Sequence, residues 1–200
     1  QGPCPTSAGY AMWLPRAKVA YGVTMSPLWA YGANHSPDNI NYGDFNQVAV
    51  YGNDPLGQTC HDFRPLSDCL AYRGTTLTST KWDSAEFVTR YFSTVYEKSP
   101  LWDGPAKYWY KHATTTGLKR FANCGSVPPQ VGDMVVSEGE PAGHAAIVRA
   151  VSDHLVTVIQ QNWCESPADT HYTLVLRTAG RHYCLEPFGD SYPVVGWVRK

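Results

Sequence analysis

The clearest pattern in the chain lies between Asp83 and Tyr96. Phe87, Val88, Tyr91, Phe92 and Val95 recur at i, i+1, i+4, i+5 and i+8, one apolar stripe at the helical period. The spacing predicts an amphipathic helix with Asp83 as its N-cap and Glu86, three residues on, completing a capping box. A second helix is predicted between Pro105 and Phe121, with Pro105 suited to a first turn. Beyond it the period changes. Gly132–Val136, His144–Val151, Leu155–Gln161, Tyr172–Arg177 and Val194–Val198 are short runs rich in Val and Ile. Turn signals such as Ser152-Asp153 and Ala179-Gly180 separate them, so they read as strands. Residues 1 to about 80 are loop-rich, with Gly, Pro, Asn and Asp recurring, and only Gln47–Tyr51 reads there as a strand. Helices followed by an antiparallel meander make an α+β fold. No internal repeat or low-complexity segment is visible.

Length and composition narrow this picture. Two hundred residues suit one domain, here divided into a loop-rich arm at 1–46 and a domain at 47–200. An apolar fraction of 43% is ample for a core. Seven Trp and thirteen Tyr exceed what a core needs, and such residues favour surfaces that hold peptides or sugars. A formal net charge of -1, with no basic stripe, gives no field to gather nucleic acid or an anionic membrane. No apolar run reaches the roughly 20 residues of a membrane span.

The six cysteines, Cys4, Cys60, Cys69, Cys124, Cys164 and Cys184, include no CxxC pair and no alternation with histidine, so neither a metal nor a cofactor is expected. Their even number, with Gln1 in place of an initiating Met, suggests three disulfides in a secreted protein. Six cysteines allow fifteen connectivities; the set expected here is Cys60–Cys69, Cys164–Cys184 and Cys4–Cys124. Asn34-His35-Ser36 is a glycosylation sequon, weakened by Pro37.

Three groups of residues could carry chemistry. Ser84 falls in the first turn of the predicted helix, where free N–H groups and the helix dipole favour developing negative charge. His144 opens a strand directly after Gly143. Gln160, Gln161 and Asn162 end the next strand, where antiparallel pairing would bring one of these amides to the histidine and orient its ring. A hydroxyl at a helix start, facing a histidine braced by a third group, is the layout of nucleophilic acyl transfer. Each residue also has a plainer role: Ser or Asp at a helix start commonly caps it, and amides at a strand end commonly serve the turn.

Their order along the chain carries a resemblance. Lys81-Trp82-Asp83-Ser84-Ala85-Glu86-Phe87-Val88 resembles the CHAP amidase segment K-W-Q-C-V-E-F-A. Gly143-His144-Ala145-Ala146-Ile147-Val148 is similar to that family's G-H-V-A-I-V, and Gln160-Gln161-Asn162-Trp163 to its E-Q-N-W. Gly132–Val136 resembles the strand that follows its helices. Val48–Tyr51 and Val195–Val198 resemble segments of the amidase domain of glutathionylspermidine synthetase/amidase, and the likeness spans roughly residues 47 to 199.

The resemblance implies a papain-like fold, with helices packed on an antiparallel sheet or half-barrel, stapled here by disulfides. It places the family's nucleophilic cysteine on Ser84, its general base on His144, the orienting carboxylate on Gln160 and a neighbouring amide on Asn162. Trp82, Asp83 and Trp163 would line the cleft. A thiol of pKa near 8.5 ionises readily beside a histidine, whereas a serine must lose its proton as it attacks. Replacing a serine-protease triad Asp by its amide lowers kcat by about 10⁴-fold. Both departures, Ser84 and Gln160, therefore point to a catalytically silent protein that binds a peptide, amide or glycan, lectin-like or defence-like. The alternatives are a cysteine amidase or peptidase carrying a Cys-to-Ser change at 84, and a slow serine esterase. Oligomeric state is left open.

Overall fold

The structure, a computed structural model, describes residues 41–51, 70–73, 76–80, 83–98, 104–139, 141–163 and 170–200, with the backbone alone at 41–43, 70–73 and 76–80. Two hairpins come first. β1 (Asn41–Phe45) pairs antiparallel with β2 (Val48–Tyr51), and β3 (Leu70–Arg73) with β4 (Thr76–Thr80). The first hairpin turns on Asn46 (φ 52°) and Gln47 (φ 65°), the paired left-handed conformations of a type I′ turn. Only β2 was expected among these four strands. β1 and β3 hold no β-branched residue, and β4, although three of its five residues are threonines, has Leu77 as its one apolar residue, so none of them stands out in a loop-rich stretch.

The predicted amphipathic helix is α1 (Ser84–Val95), and its stripe faces inward as expected. Phe87, Val88, Tyr91 and Phe92 are fully buried, and Val95 packs against the same cluster. The hairpin docks on this helix: Phe45 stacks on Tyr91 at 5.7 Å, and Asn46 donates to the Tyr91 hydroxyl at 2.8 Å. The expected capping box does not form. Asp83 is the N-cap by backbone conformation but makes no side-chain cap bond, and Glu86 turns inward to other partners.

The second predicted helix is shorter and broken. A 3₁₀ turn at Ala106–Tyr108 leads into α2 (Trp109–His112), and a second 3₁₀ turn follows at Ala113–Thr116. Three consecutive threonines and Gly117 (φ 75°) end the helical run, as β-branched residues and a left-handed glycine do. Phe121 therefore belongs to a strand, β5 (Lys119–Ala122), and not to a helix.

The remaining strands are β6 (Met134–Ser137), β7 (His144–Val151), β8 (Leu155–Ile159), β9 (His171–Ala179), β10 (His182–Leu185) and β11 (Val194–Arg199). Apart from β5 and β10, all were predicted. They form one antiparallel sheet in the order β10-β9-β8-β7-β6-β11-β5, so that β6 to β10 are a meander and β11 returns beside β6. The fold is α+β, with helices against a half-barrel sheet.

Both faces of the central strands are buried. On β7, Ala145 and Ile147 face the helical layer, while Ala146 and Val148 face the concave interior with Leu174, Phe188 and Trp197. This two-sided burial explains why β6 and β7 read as continuous apolar runs.

The sheet curls until its edges meet. Just beyond β5, the Cys124 N–H bonds the Tyr183 carbonyl at 2.7 Å, and the Tyr183 N–H bonds the Gly125 carbonyl at 2.9 Å. Asn123 bonds both backbone groups of Leu185. Cys124 and Cys184 form a disulfide across this seam. The expected Cys4–Cys124 and Cys164–Cys184 pairs are thereby both overturned, because closure sets the turn after β5 beside β10. The expected Cys60–Cys69 pair lies outside the described residues. Among the described residues, no helix is long and apolar enough to cross a membrane, and no group of acidic, His and Cys side chains is arranged to hold a metal ion.

Candidate functional site

The start of α1, the start of β7 and the turn after β8 converge on one cavity of about 370 Å³. Asp83, Ser84, His144 and Asn162 line it, and Gly104 to Ala106 with Ala142 and Gly143 form the facing wall. The sheet register brings the histidine and the amides together: β7 pairs with β8, so the first residue of β7 and the residues just after β8 lie at the same end.

His144 is held from several sides. Its Nε2 lies 2.9 Å from Oε1 of Gln160, and both side chains are buried. Because an amide oxygen only accepts, Nε2 carries the proton and Nδ1 keeps its lone pair. Trp163 packs against the imidazole at 4.7 Å between ring centroids, and Phe188 meets it edge-on at 5.2 Å. This apolar enclosure disfavours the charged ring. Burial lowers the His144 pKa from 6.5 to about 4, although the Gln160 hydrogen bond pulls the other way.

Gly143 sets the approach to the histidine. It has φ 71°, and a Cβ there would lie 2.5 Å from the Ser137 carbonyl oxygen and 2.7 Å from Cβ of Lys107. Only glycine fits both the conformation and the space. The 3₁₀ turn is tied to the same loop by the Lys107 N–H, which bonds the Ala142 carbonyl at 3.0 Å.

Ser84 is the first residue of α1 and is nearly buried, at 8% exposure. No hydrogen bond joins it to His144; the two side chains share the cavity without touching at bonding distance among the described contacts. Asp83 Oδ1 accepts from Nδ2 of Asn162 at 3.5 Å. Asn162 adopts the left-handed conformation (φ 57°), which asparagine tolerates.

Gln161 is the residue whose role the sequence does not disclose. Its Nε2 donates to the Asp83 carbonyl at 3.0 Å and to Glu86 Oε2 at 3.1 Å, and its Oε1 accepts from the Tyr51 N–H at 3.0 Å. Glu86, fully buried, takes Nε and Nη2 of Arg90 at 2.7 and 3.0 Å, and Nη1 of Arg90 reaches the Ala49 carbonyl. One amide thus joins the helix start to the β1–β2 hairpin. The spacing of Glu86 and Arg90 at i and i+4 is a visible signal for their pair, but nothing in the sequence links either to Gln161.

Of the residues singled out from sequence, the structure brings together Asp83, Ser84, His144, Gln160, Asn162 and Trp163. Trp82, Cys4, Cys60, Cys69 and Cys164 lie outside the described residues. Phe188 was not anticipated, since it sits alone between turn residues with no periodic neighbours.

Residues 75–162 match the family model described as the CHAP domain, and over that segment the chain is similar to this family. The matched segment runs from β4 to the turn carrying Asn162, and so contains Ser84, His144 and Gln160. No curated protein matches the chain.

Proposed function

We propose that this protein is a secreted member of the amidase-like superfamily whose cleft binds a peptide, amide or glycan without cleaving it. The observation that carries the reading is the partner of His144. A neutral amide, Gln160, stands where a carboxylate would be needed to stabilise an imidazolium.

The physical case has two parts. An acyl transfer begun by Ser84 must move the hydroxyl proton onto Nδ1 of His144 as the bond forms. A base held at a pKa of about 4 offers little driving force for that transfer. The imidazolium that results would sit among Trp163 and Phe188, with no carboxylate hydrogen-bonded to it among the described residues. A thiol at position 84 would need less, because it can ionise before it attacks. The Cys124–Cys184 disulfide supports an oxidising compartment.

The test is turnover of amide and activated-ester substrates by three proteins: the chain itself, Ser84→Cys, and Ser84→Cys with Gln160→Glu. The expected order is no measurable amide cleavage, slow cleavage, then faster cleavage. Rapid amide hydrolysis by the unaltered chain would overturn the reading in favour of a serine hydrolase. Rapid hydrolysis by Ser84→Cys alone would instead favour a cysteine amidase interrupted at one residue.

A further inference from the structure

Charge is unevenly spread over a chain whose total is close to zero. Between Asp103 and Asp133 the sequence holds no Asp or Glu, yet it carries Lys107, Lys111, Lys119 and Arg120. A net charge of -1 conceals this stretch, and the fold brings part of it beside the end of β11.

β5 pairs with β11, setting Arg120 opposite Val198, which belongs to the helix-side core. Cross-strand partners share a face, so Arg120 stands on the helix side of the sheet. Lys200 reaches the same side: its Nζ lies 5.6 Å from the ring centroid of Tyr96, which packs against that core. Lys111 of α2 joins them, its carbonyl taking Nη1 of Arg120 at 3.4 Å. All three residues are exposed. Lys119, by alternation, faces the other way with Arg199, which Asp133 neutralises.

The three cations are positioned but unpaired. The Arg120 guanidinium lies 5.5 Å from the Tyr110 centroid, and such stacking holds the stem while leaving N–H donors outward. Among the described residues no carboxylate forms an ion pair with Lys111, Arg120 or Lys200. Glu97, next to Tyr96, pairs with none of them, and Asp133 is taken by Arg199. Like charges gathered on one surface repel one another, and a bound polyanion relieves that repulsion.

Physical chemistry narrows the polyanion. Unstacked bases need an open aromatic face, and Tyr96 and Tyr110 already carry cations on theirs. Exposed ion pairs return little free energy each, too little to order a flexible acidic peptide residue by residue. A chain of rigid sugar rings bearing sulfates or carboxylates has less freedom to lose.

We propose that the surface formed by Lys111, Arg120 and Lys200 binds an anionic polysaccharide, sulfated or rich in uronic acid, apart from the cleft. Tyr96 caps the end of α1 opposite Ser84, and by the helical rise the 12 residues between set the two surfaces roughly 18 Å apart along its axis.

The experiment is a titration of the full chain with a heparin oligosaccharide, an oligogalacturonate and neutral dextran, followed by ¹H–¹⁵N shifts. Both anionic glycans should bind at low salt and dextran should not; the tighter of the two identifies sulfate or carboxylate as the group recognised. Raising the salt to about 300 mM should weaken binding. Lys111→Gln with Arg120→Gln and Lys200→Gln should cost about tenfold in affinity. Arg149→Gln with Arg177→Gln and Arg181→Gln removes the same charge elsewhere and should change it by no more than about twofold. If the first variant fails to fold, the shifts in the unaltered chain decide. Largest changes at Lys111, Arg120 and Lys200 support the surface, and largest changes at Ser84 and His144 overturn it. Equal losses in the two triple variants, or no binding of either anionic glycan, would also overturn it. So would tighter binding of poly-glutamate, single-stranded oligothymidylate or phosphatidylserine vesicles at equal charge.

Discussion

Gln161 donates its side-chain N–H to the backbone carbonyl of Asp83 at 3.0 Å, while its neighbour Gln160 holds His144 at 2.9 Å. Two adjacent amides at the end of β8 therefore fix both halves of the site, the helix start that presents Ser84 and the ring that faces it. Gln161→Leu would strip buried partners from the Tyr51 N–H and from Glu86, at a cost of about 2–3 kcal/mol. Chemical denaturation checks the stability loss. In a Ser84→Cys background, the pH profile of iodoacetamide alkylation should also move, because the thiol's setting depends on where the helix begins. An unchanged profile would count against a positioning role.

Acid should weaken the fold through His144. Its folded pKa, about 4, lies below the ordinary value of 6.5, so the unfolded chain takes up a proton that the native state refuses. The stability is fully present above pH 6.5 and is lost as pH falls through that value toward 4. The span corresponds to about 3 kcal/mol. Urea unfolding of the chain and of His144→Gln across this window should differ in slope, the variant showing the shallower dependence.

Gln160→Glu should raise the His144 pKa by at least about one unit, because an ionised carboxylate within bonding distance favours the imidazolium. Titrating the imidazole ¹H shifts measures this directly. No movement of the midpoint would mean that the glutamate is itself protonated in this enclosure.

Arg90→Met should be among the most destabilising surface-distant changes. It leaves Glu86 buried with its charge uncompensated, for which about 3–5 kcal/mol is typical. Replacing both, as Glu86→Gln with Arg90→Met, should recover much of the loss, and thermal unfolding of the single and double variants separates the terms.

Cys124→Ala with Cys184→Ala opens the seam of the sheet. The cysteines are 60 residues apart, a loop whose closure is worth up to about 4 kcal/mol in the chain-entropy account. Circular dichroism at increasing temperature should show a lower midpoint with the folded spectrum retained, because Asn123 and the backbone bonds still join the edges.

The sequence by itself determined what depends on neighbours along the chain. The stripe from Phe87 to Val95 dictated a helix with one buried face, and the Val- and Ile-rich runs dictated β6, β7, β8, β9 and β11. Local order also placed Ser84 at a helix start and His144 at a strand start. Three adjacent amides at 160–162 said that one of them would reach the histidine.

What the tertiary structure decided was which partner each group found. Strand alternation and turn chemistry are local, but the closing of the sheet is not, so the pairing of Cys124 with Cys184 could not be read from spacing. The same holds for the capping box: Glu86 had a local partner in the cap, yet burial beside Arg90 and Gln161 offered charge-assisted bonds that an exposed cap could not match. Phe188 encloses His144 only because the segment joining β10 to β11 carries it into the cluster of Val148, Leu174 and Trp197 on one face of the sheet. That long-range contact helps to desolvate the histidine and so to lower its pKa.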